Sequence, residues 1–575
     1  MYRLLLLVSL TAAFAGGRAR AQGIRPLPVA VSIADSLGPD GVHGYRLDLA
    51  ADQFVFVEAD QQTMDVVLTV FGPGGERVTA VDVTARGPEL LTFPTASAGP
   101  HRLEVTPFQR QTGRYAVALR RTEPLATTPE GRVDQMMWGY EEDTPGTVVA
   151  VVRGGDVAFA RGYGLANLEY GTPNTAATPY HVASVSKQFT AFAIALLERE
   201  GRLSLDDDVR AYLPEVPAFG PTITLRHLLT HTSGLRDLWD LWVMSGGLMG
   251  DVIRQDDFLR LVERQRELNF VPGTEAMYSN TGYTLLAEVV ERVTGSAFGD
   301  WMEAHVFTPL GMRSTHVHDF ARVVPQRAYS YQPGTGGYGN DVLSYANAGP
   351  TGLFTTAEDL ARWLRNFHTG EVGGPEVLAR MQERAVLTDG DTVAFALGLV
   401  VDEQRGLRRI WHNGNDAGFR TMLVYYPELD AGVVVLSNVG SFNAVGTAVR
   451  VAEAFFEAEM GPRPEARPAA GGPADDGAAA DPWAPSGETL AAYAGRYYSE
   501  ELETSYTIAV EEGRLVARHR RHGDLPLAPM EEDRFRDDQR VLGDVTFERA
   551  GDGAVIGLRA TTDRIRNLLF LKSGR

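Results

Sequence analysis

The stretch YHVASVSKQFTAFAIALLEREG, residues 180–201, places a serine and a lysine three positions apart at the start of an apolar run. Residues 189–197 are apolar or small on every helical face, which predicts a buried helix, and Gly201 is a typical C-terminal stop. On a helix, Ser184 and Lys187 share a face one turn apart. A serine hydroxyl becomes a nucleophile when a nearby base takes its proton, and a desolvated lysine amine can be that base. We predict that these two residues form a catalytic pair.

Lysine is rare in this chain, which strengthens that prediction. Lysine and arginine together number 54, but only Lys187 and Lys572 are lysines. Arginine stays protonated and is a poor proton acceptor, whereas lysine changes its pKa readily when it is buried. A lysine inside an apolar helix therefore indicates catalysis more than a surface ion pair, and Lys572 is predicted to be solvated.

Composition and the first residues limit the cellular setting. Residues 1–21, MYRLLLLVSLTAAFAGGRARA, have a basic start, an apolar centre and an A-x-A end, and they predict a cleaved signal peptide and a periplasmic or extracellular protein. The net charge of −20 argues against nucleic acid and anionic membranes as partners. No later stretch has the length and apolarity that membrane insertion needs, and without cysteine no disulfide can form. The sequence leaves the oligomeric state open.

The 575 residues are too many for one core, and the patterns divide them into segments. Residues 22–122 contain short alternating strands that predict an all-β sandwich. Residues 123–460 have strands near both ends and helices between them, which predicts an antiparallel sheet covered by helices. Residues 461–485 are rich in Pro, Ala, Gly and Asp and predict a flexible linker, and residues 486–575 predict an antiparallel meander forming a small barrel or curled sheet. The predicted fold class is α+β.

A second motif, Tyr278-Ser279-Asn280, precedes a predicted helix that Gly295 ends. The Tyr278 phenol can relay protons if neighbouring cations such as Lys187 lower its pKa. Asn280 can donate or accept a hydrogen bond with the lysine or with a substrate amide. The alternative for Tyr278 is a phenol that only packs at the start of the helix.

A third motif, His412-Asn413-Gly414, lies just before two predicted strands, residues 421–426 and 433–436. The backbone N–H that follows it, at Asn415, can join that of Ser184 as an oxyanion hole. The alternative for His412 is a strand residue that only forms hydrogen bonds.

The order S-x-x-K, Y-x-N, H-x-G resembles the β-lactamase-like serine hydrolases, which include class C β-lactamases, D,D-peptidases, D-aminopeptidases and related esterases. The resemblance covers residues from about 124 to 460 and implies an antiparallel sheet flanked by helices with a helical subdomain. It implies Ser184 as the acyl-enzyme nucleophile, with Lys187 and Tyr278 sharing the acid and base work. Asn280 would position these side chains and bind substrate, and His412 and Gly414 would line the edge strand where the substrate lies. Asn415 is a further substrate-binding candidate. Other stretches that match the family are GYG at 162–164, LLTHTSGL at 228–235, PGTEAMYSNTGY at 272–283 and TGLFTTAEDLARWL at 351–364.

One position departs from the family pattern. Class C β-lactamases have lysine where this chain has His412, and a neutral histidine holds a substrate carboxylate less well. The departure favours an esterase or peptidase. LAAYAGRYYS at 490–499 resembles the lipocalin-like domain attached to some D-aminopeptidases, and residues 22–122 resemble the bacterial pre-peptidase C-terminal domain.

Other residues are weaker candidates for a site. His227 and His231 are spaced i, i+4, but no glutamate follows His227 as a zinc motif requires. His316 and His318 share one side of a strand without a further ligand cluster, so a structural role is favoured. Ser233 lacks both a nearby lysine and a nucleophile elbow.

Together these observations predict a secreted serine hydrolase that forms an acyl-enzyme on Ser184 and cleaves an ester or an amide. Its substrate would be a small molecule or short peptide, such as a D-amino-acid peptide, a cell-wall fragment or a small ester. The predicted chemistry uses no cofactor and no metal. Within the same class the alternative is a β-lactamase or D,D-carboxypeptidase. From another class, the alternative is a catalytically idle protein that binds muropeptides or acts as a scaffold.

Overall fold

The computed structural model describes residues 22–463 and 483–573. The predicted signal peptide, residues 1–21, lies outside these ranges, as does most of the predicted linker, residues 461–485. In the described ranges, none of the helices combines the length and apolarity needed to cross a bilayer.

The N-terminal part of the chain is a β-sandwich. Its strands are β1 (Gln22–Pro26), β2 (Ser32–Leu37), β3 (His43–Leu49), β4 (Gln53–Gln61), β5 (Val66–Phe71), β6 (Arg77–Val81), β7 (Gly87–Pro94), β8 (Gly99–Pro107) and β9 (Gly113–Pro124). One sheet has the order β1-β3-β8-β5-β6 and the other β2-β9-β4-β7. Alternate residues point inward, as Tyr45 and Leu47 do in β3, so that both sheets share one apolar core.

The central part combines a sheet with helices, as the α+β prediction requires. Its helices are α1 (Pro129–Met136), α2 (Ser186–Arg199), α3 (Leu225–Leu229), α4 (Leu238–Met244), α5 (Gln255–Glu263), α6 (Asn280–Thr294), α7 (Phe298–Met302), α8 (Ala357–Thr369), α9 (Gly374–Met381) and α10 (Ala444–Phe456). Its strands are β10 (Thr147–Arg153), β11 (Asp156–Tyr163), β12 (Leu165–Asn167), β13 (Thr172–Pro173), β14 (Tyr180–His181), β15 (His316–Val317), β16 (Tyr331–Gly334), β17 (Gly337–Asn340), β18 (Leu353–Thr355), β19 (Val400–Gln404), β20 (Leu407–Asp416), β21 (Phe419–Tyr426) and β22 (Ala431–Ser437).

The main sheet has the order β11-β10-β22-β21-β20-β19, and every neighbouring pair is antiparallel. Both faces are covered. Val148 faces the core that contains α2, α6 and α8, while Val149 faces the core formed with α1 and α10. Because both faces are buried, the central strands are continuous apolar runs and do not alternate with polar residues.

The C-terminal part is a closed antiparallel barrel preceded by α11 (Gly487–Tyr493). Its strands are β23 (Gly495–Ser499), β24 (Thr504–Glu511), β25 (Arg514–His519), β26 (Gly523–Glu531), β27 (Arg534–Asp537), β28 (Asp544–Arg549), β29 (Val555–Thr561) and β30 (Leu568–Lys572). The barrel closes where β23 pairs with β30. The sequence analysis did not identify β23, β26 or β27 as strands; in β26, Pro526 and Pro529 weaken the strand pattern.

The barrel packs directly on the helical region beside α2. A single apolar core joins the barrel interior to one side of α4 and α5, through Leu238, Leu241 and Phe258. Beneath the barrel, Arg236 is fully buried and forms an ion pair with Glu501, which follows β23. The central region and the barrel therefore share a continuous buried contact.

Candidate active site

Ser184 lies on a short 3-10 turn, Ala183–Val185, that leads into α2. The sequence predicted it on the helix itself; the α-helix begins two residues later, at Ser186. The residue before the serine, Ala183, has φ of +49°, a left-handed conformation that costs about 1–3 kcal/mol and is common at active sites. The turn keeps Ser184 one turn from Lys187 and places it at the start of a buried helix.

Lys187 is completely buried and its amine has defined partners. Its Nζ lies 3.2 Å from Ser184 Oγ, 2.8 Å from Asn280 Oδ1 and 2.8 Å from the carbonyl oxygen of Pro350. Burial lowers the pKa of Lys187 to about 7, because the charged ammonium loses its water. At neutral pH a large fraction of the amine is therefore uncharged and able to accept a proton.

Asn280 connects the lysine to a buried carboxylate. Its side-chain Nδ2 donates to Asp237 Oδ2 at 2.9 Å, and its backbone N donates to the same oxygen at 2.7 Å. Asp237 also caps α4 by accepting the N–H of Trp239. These contacts orient the amide of Asn280 with its oxygen toward Lys187. Asp237 was not among the predicted residues, although it stands next to the matched stretch at 228–235.

Tyr278 packs over the amine of Lys187, with Nζ 4.8 Å from the ring centroid. Burial raises the pKa of Tyr278 well above its ordinary value, and a hydrogen bond with Ser184 and the charge of Arg564 offset this only in part. The condition that the sequence analysis set for Tyr278, a pKa lowered by neighbouring cations, is therefore not met, because desolvation of the phenolate outweighs the charge of Arg564. Tyr278 is held as a neutral hydroxyl next to Ser184, in a form that can donate a proton.

The third motif precedes β21 and β22, as the sequence predicted, and it also lies on a strand of its own, β20, which the sequence did not predict. Beyond residue 411, β20 has no pairing with β19, so this end of it is an edge. The hairpin from β20 to β21 closes at the pair Asp416 and Phe419. In an antiparallel ladder, successive N–H groups point alternately toward the partner strand and away from it. The Gly414 N–H therefore points to β21, and the Asn415 N–H points away from it. The Asn415 N–H thus faces the open edge, as an oxyanion hole requires.

Gly414 allows β20 to approach the turn that carries Ser184. A Cβ atom at this position would lie 2.3 Å from the carbonyl oxygen of Val182 and 2.9 Å from Ala183 Cβ. Thr421 Oγ1, which donates to the Val182 oxygen at 2.9 Å, would be 2.4 Å from the same Cβ. Only glycine leaves the strand this close to the turn.

His412 carries no charge at neutral pH. Burial, with a smaller contribution from the charge of Lys187, lowers the pKa of His412 to about 3. Its Nδ1 lies 2.6 Å from the backbone oxygen of Asn413. The unpaired part of β20 therefore begins with a neutral imidazole. A cation at this position would be needed to bind a carboxylate.

The other end of the edge carries an anion that the sequence analysis missed. Burial raises the pKa of Asp416, but its hydrogen bonds with His181, Thr351 and Tyr345 outweigh burial and lower that pKa below its usual value. His181 Nε2 lies 2.9 Å from Asp416 Oδ2. These partners are far apart in the sequence, so no local pattern identified them.

A cation from the barrel also reaches the site. Arg564, in the loop between β29 and β30, lies with Cζ 5.0 Å from the centroid of the Tyr278 ring, and its Nη1 is 3.8 Å from Asp237 Oδ2. No motif singled out this residue, because it stands almost 300 positions after Tyr278 and in another predicted domain.

The weaker candidates from the sequence have structural partners. His227 completes a capping box at the start of α3, and His231 Nδ1 accepts the N–H of Ser279 at 3.1 Å. Ser233 Oγ accepts the N–H of Leu235 within its own turn. His316 stacks on Phe354, and His318 also lies against that ring. Across the described ranges, His, Asp and Glu form no group of three or more that would hold a metal ion.

Comparison with known proteins identifies the family. The family model described as Beta-lactamase matches residues 130–455, more than half of the chain. A penicillin-binding protein of Bacillus subtilis is 30% identical over 322 residues, which are 52% of this chain and 69% of the relative. A D-aminopeptidase of Cereibacter sphaeroides is 29% identical over 330 residues, which are 56% of this chain; the chain spans 62% of that relative's length.

A solved structure shares the fold over a longer range. The octameric penicillin-binding protein homologue from Pyrococcus abyssi matches with a TM-score of 0.51 and 24% identity, over 77% of this chain and 99% of that one. Given the family match and the arrangement around Ser184, the chain belongs to the β-lactamase family and is a serine hydrolase.

Proposed function

We propose that the protein is a secreted hydrolase that forms an acyl-enzyme on Ser184 and cleaves esters or amides, with short peptides of D-amino acids, cell-wall fragments or small esters as substrates. The observation that carries the proposal is the buried amine of Lys187, 3.2 Å from Ser184 Oγ and with a pKa of about 7. An amine in this state takes the hydroxyl proton as Oγ attacks the substrate carbonyl carbon.

The remaining residues have distinct roles in this mechanism. The N–H groups of Ser184 and Asn415 stabilise the oxyanion of the tetrahedral intermediate. Tyr278 acts as the O–H that passes a proton to the leaving group, because burial disfavours its phenolate. Asn280 holds the Lys187 amine in place. Water then attacks the acyl-enzyme, with Lys187 and Tyr278 acting in the reverse sense.

Charges along the edge strand support a substrate without a carboxylate at this edge. His412 is neutral and Asp416 is held in its ionised form, so the edge attracts an amino group and disfavours an anion. D-aminopeptidase is the printed name of one relative, and a peptide with a free amino terminus fits this charge pattern. Secretion is part of the proposal and rests on residues 1–21; N-terminal sequencing of the mature protein tests it.

Intact-protein mass spectrometry tests the proposed nucleophile. We expect a fluorophosphonate to add once to the wild type and to the control Ser233→Ala, and not to Ser184→Ala. Lys187→Met should react at least about 1,000-fold more slowly, since the base is lost. Labelling that persists in Ser184→Ala contradicts the proposal, and failure of the wild type to react favours a binding protein.

A substrate panel tests the proposed class. D-aminoacyl p-nitroanilides and small p-nitrophenyl esters should be hydrolysed faster than N-acylated peptides that end in a free D-alanine carboxylate. A lasting penicilloyl adduct together with a preference for the free carboxylate would favour a D,D-carboxypeptidase instead.

A further inference from the structure

The loop between β29 and β30, residues 562–567, is fixed against the central domain. Thr562 Oγ1 donates to Asp240 Oδ2 at 2.6 Å. Asn269 binds the loop backbone twice: its Nδ2 donates to the Arg564 carbonyl at 2.9 Å, and its Oδ1 accepts the Arg566 N–H at 2.7 Å. The loop position is therefore set by residues on both sides of Arg564.

This anchoring directs the Arg564 side chain into the active site, where only 17% of it is exposed. The guanidinium lies over the Tyr278 ring and 3.8 Å from Asp237 Oδ2. A planar guanidinium stacks well on an aromatic ring, and it pairs with carboxylates without losing its own proton. Arg564 thus contacts both the phenol beside Ser184 and the carboxylate that orients Asn280.

The carboxylate of Asp237 is separated from the Lys187 amine by a single side chain, Asn280, which forms hydrogen bonds with both. Asp237 and Asp416 both favour the ammonium form of Lys187, whereas the charge of Arg564 disfavours it. Burial is the largest cause of the lowered pKa of Lys187, and Arg564 opposes the two carboxylates. The titratable and charged groups that face the amine or the guanidinium are Tyr278, Tyr283, His231, His412, Asp237, Asp240, Asp416 and Asp563.

We propose that Arg564 is a positioning residue supplied by the barrel: it holds the Tyr278 ring against Ser184 and offsets the negative charge of Asp237, so that Lys187 works as a base at neutral pH. The inference rests on the proposed role of Ser184 and Lys187. It adds a function for the barrel, which completes the electrostatics of a site whose other residues belong to the central domain.

The test is the pH dependence of kcat/KM in full-length variants, measured with a p-nitrophenyl ester that carries no charge. Arg564→Met and Arg564→Gln remove the charge. In each variant the acid limb of the profile, the pH range in which kcat/KM falls on acidification, should move to higher pH by about one unit, and kcat should decrease. Arg564→Lys keeps the charge and loses the planar contact, so the limb should stay while kcat falls. Arg566→Gln is the matched control on the same loop, since that side chain pairs with exposed Glu275, and it should change neither quantity.

The outcomes separate this inference from the proposed function. If the folded Arg564→Gln or Arg564→Met protein keeps the wild-type limb and rate within twofold, the inference is overturned. A shift of the limb in Arg564→Lys as large as in Arg564→Gln also overturns it, because charge would not be the cause. An increase in KM confined to substrates with a carboxylate, without a shift of the limb, assigns Arg564 to substrate binding and overturns the positioning role. If the wild type itself fails to react with fluorophosphonate, the proposed function has failed independently.

Discussion

The two β-modules contact the central domain in different ways. The N-terminal sandwich lies against the α1 and α10 side of the main sheet: Phe54 packs on Trp138, and Arg450 Nη1 donates to Thr92 Oγ1 at 3.0 Å. The barrel lies on the side of α4 and α5 and shares an apolar core with them. Its loop brings Arg564 to the ring of Tyr278.

The difference teaches that an appended domain can be part of an active site or only attached to the fold. The barrel contributes the charge of Arg564, which contacts Asp237 and the Tyr278 ring, and a buried ion pair between Glu501 and Arg236. The sandwich contributes packing on the far face of the sheet, behind β22 and α10. Changes at the buried part of the barrel contact should therefore alter catalysis and stability together, while changes at the sandwich contact should alter stability slightly.

The largest expected effect is on the barrel contact. Glu501→Ala removes the buried carboxylate from fully buried Arg236 and leaves it only the longer contact with the half-exposed Glu267, and breaking a buried pair costs about 3–5 kcal/mol. Denaturant unfolding, followed by the intrinsic fluorescence of the protein, should report that loss in free energy of unfolding, with a fall in kcat/KM.

The control for this variant is an exposed pair on another surface. Glu459→Ala removes the partner of Arg153, and an exposed pair contributes only about 0–1 kcal/mol. Equal losses for Glu501→Ala and Glu459→Ala would contradict the view that the barrel contact is a buried structural interface.

The second effect concerns the edge strand beside Ser184. Gly414→Ala forces β20 away from the turn that carries Ser184, the proposed nucleophile, and a displacement near 1 Å costs about 100-fold in rate. Gly23→Ala, in the sandwich and with nothing within 4 Å of the added Cβ, should leave kcat/KM unchanged. Steady-state kinetics with one ester suffices, and an active Gly414→Ala protein would show that the close approach is not needed.

The third effect is the pH dependence of the wild type. The proposed base is the neutral amine of Lys187, whose pKa is about 7, so kcat/KM should fall about tenfold for each pH unit below about 7 and level off above it. A sandwich variant such as Arg450→Ala should share this limb. A shift of the acid limb of the kcat/KM profile in Arg450→Ala would contradict the view that the barrel affects the active site and the sandwich does not.

The smallest effect belongs to the sandwich contact itself. Thr92→Val removes the hydrogen bond from Arg450 and should lower the free energy of unfolding by about 0.5–1.5 kcal/mol. The value of kcat/KM should stay within twofold of the wild type. A tenfold loss of activity would indicate that the sandwich also controls the active site.

The sequence predicted those features that depend on short-range patterns. Period-two runs identified β3 and β8, and the apolar run and Gly201 identified the course of α2. The left-handed φ of Gly295 ends α6 where the sequence placed a stop. Such features follow from local periodicity and from the freedom of glycine, so the α+β class was predicted correctly.

Features that depend on distant contacts were not predictable in the same way. Arg564 contacts Tyr278 only because a barrel loop is anchored by Asn269, and Asp416 is ionised because His181 and Thr351 reach it across the fold. The direction of the pKa change in Tyr278 depends on burial, which the sequence motif does not contain. The candidate residues around Ser184 came from motif order, whereas their charge states required the packing.

The most direct test of the central claim uses the scarcity of lysine. Protein labelled with 13C at lysine Cε gives two resonances, from Lys187 and Lys572, and Lys572→Arg assigns them. A pH titration by NMR should then show Lys187 changing protonation at about pH 7, because burial disfavours its ammonium form. Titration of Lys187 near its ordinary value of 10.5 would contradict the account, since no neutral base would then stand beside Ser184 at physiological pH.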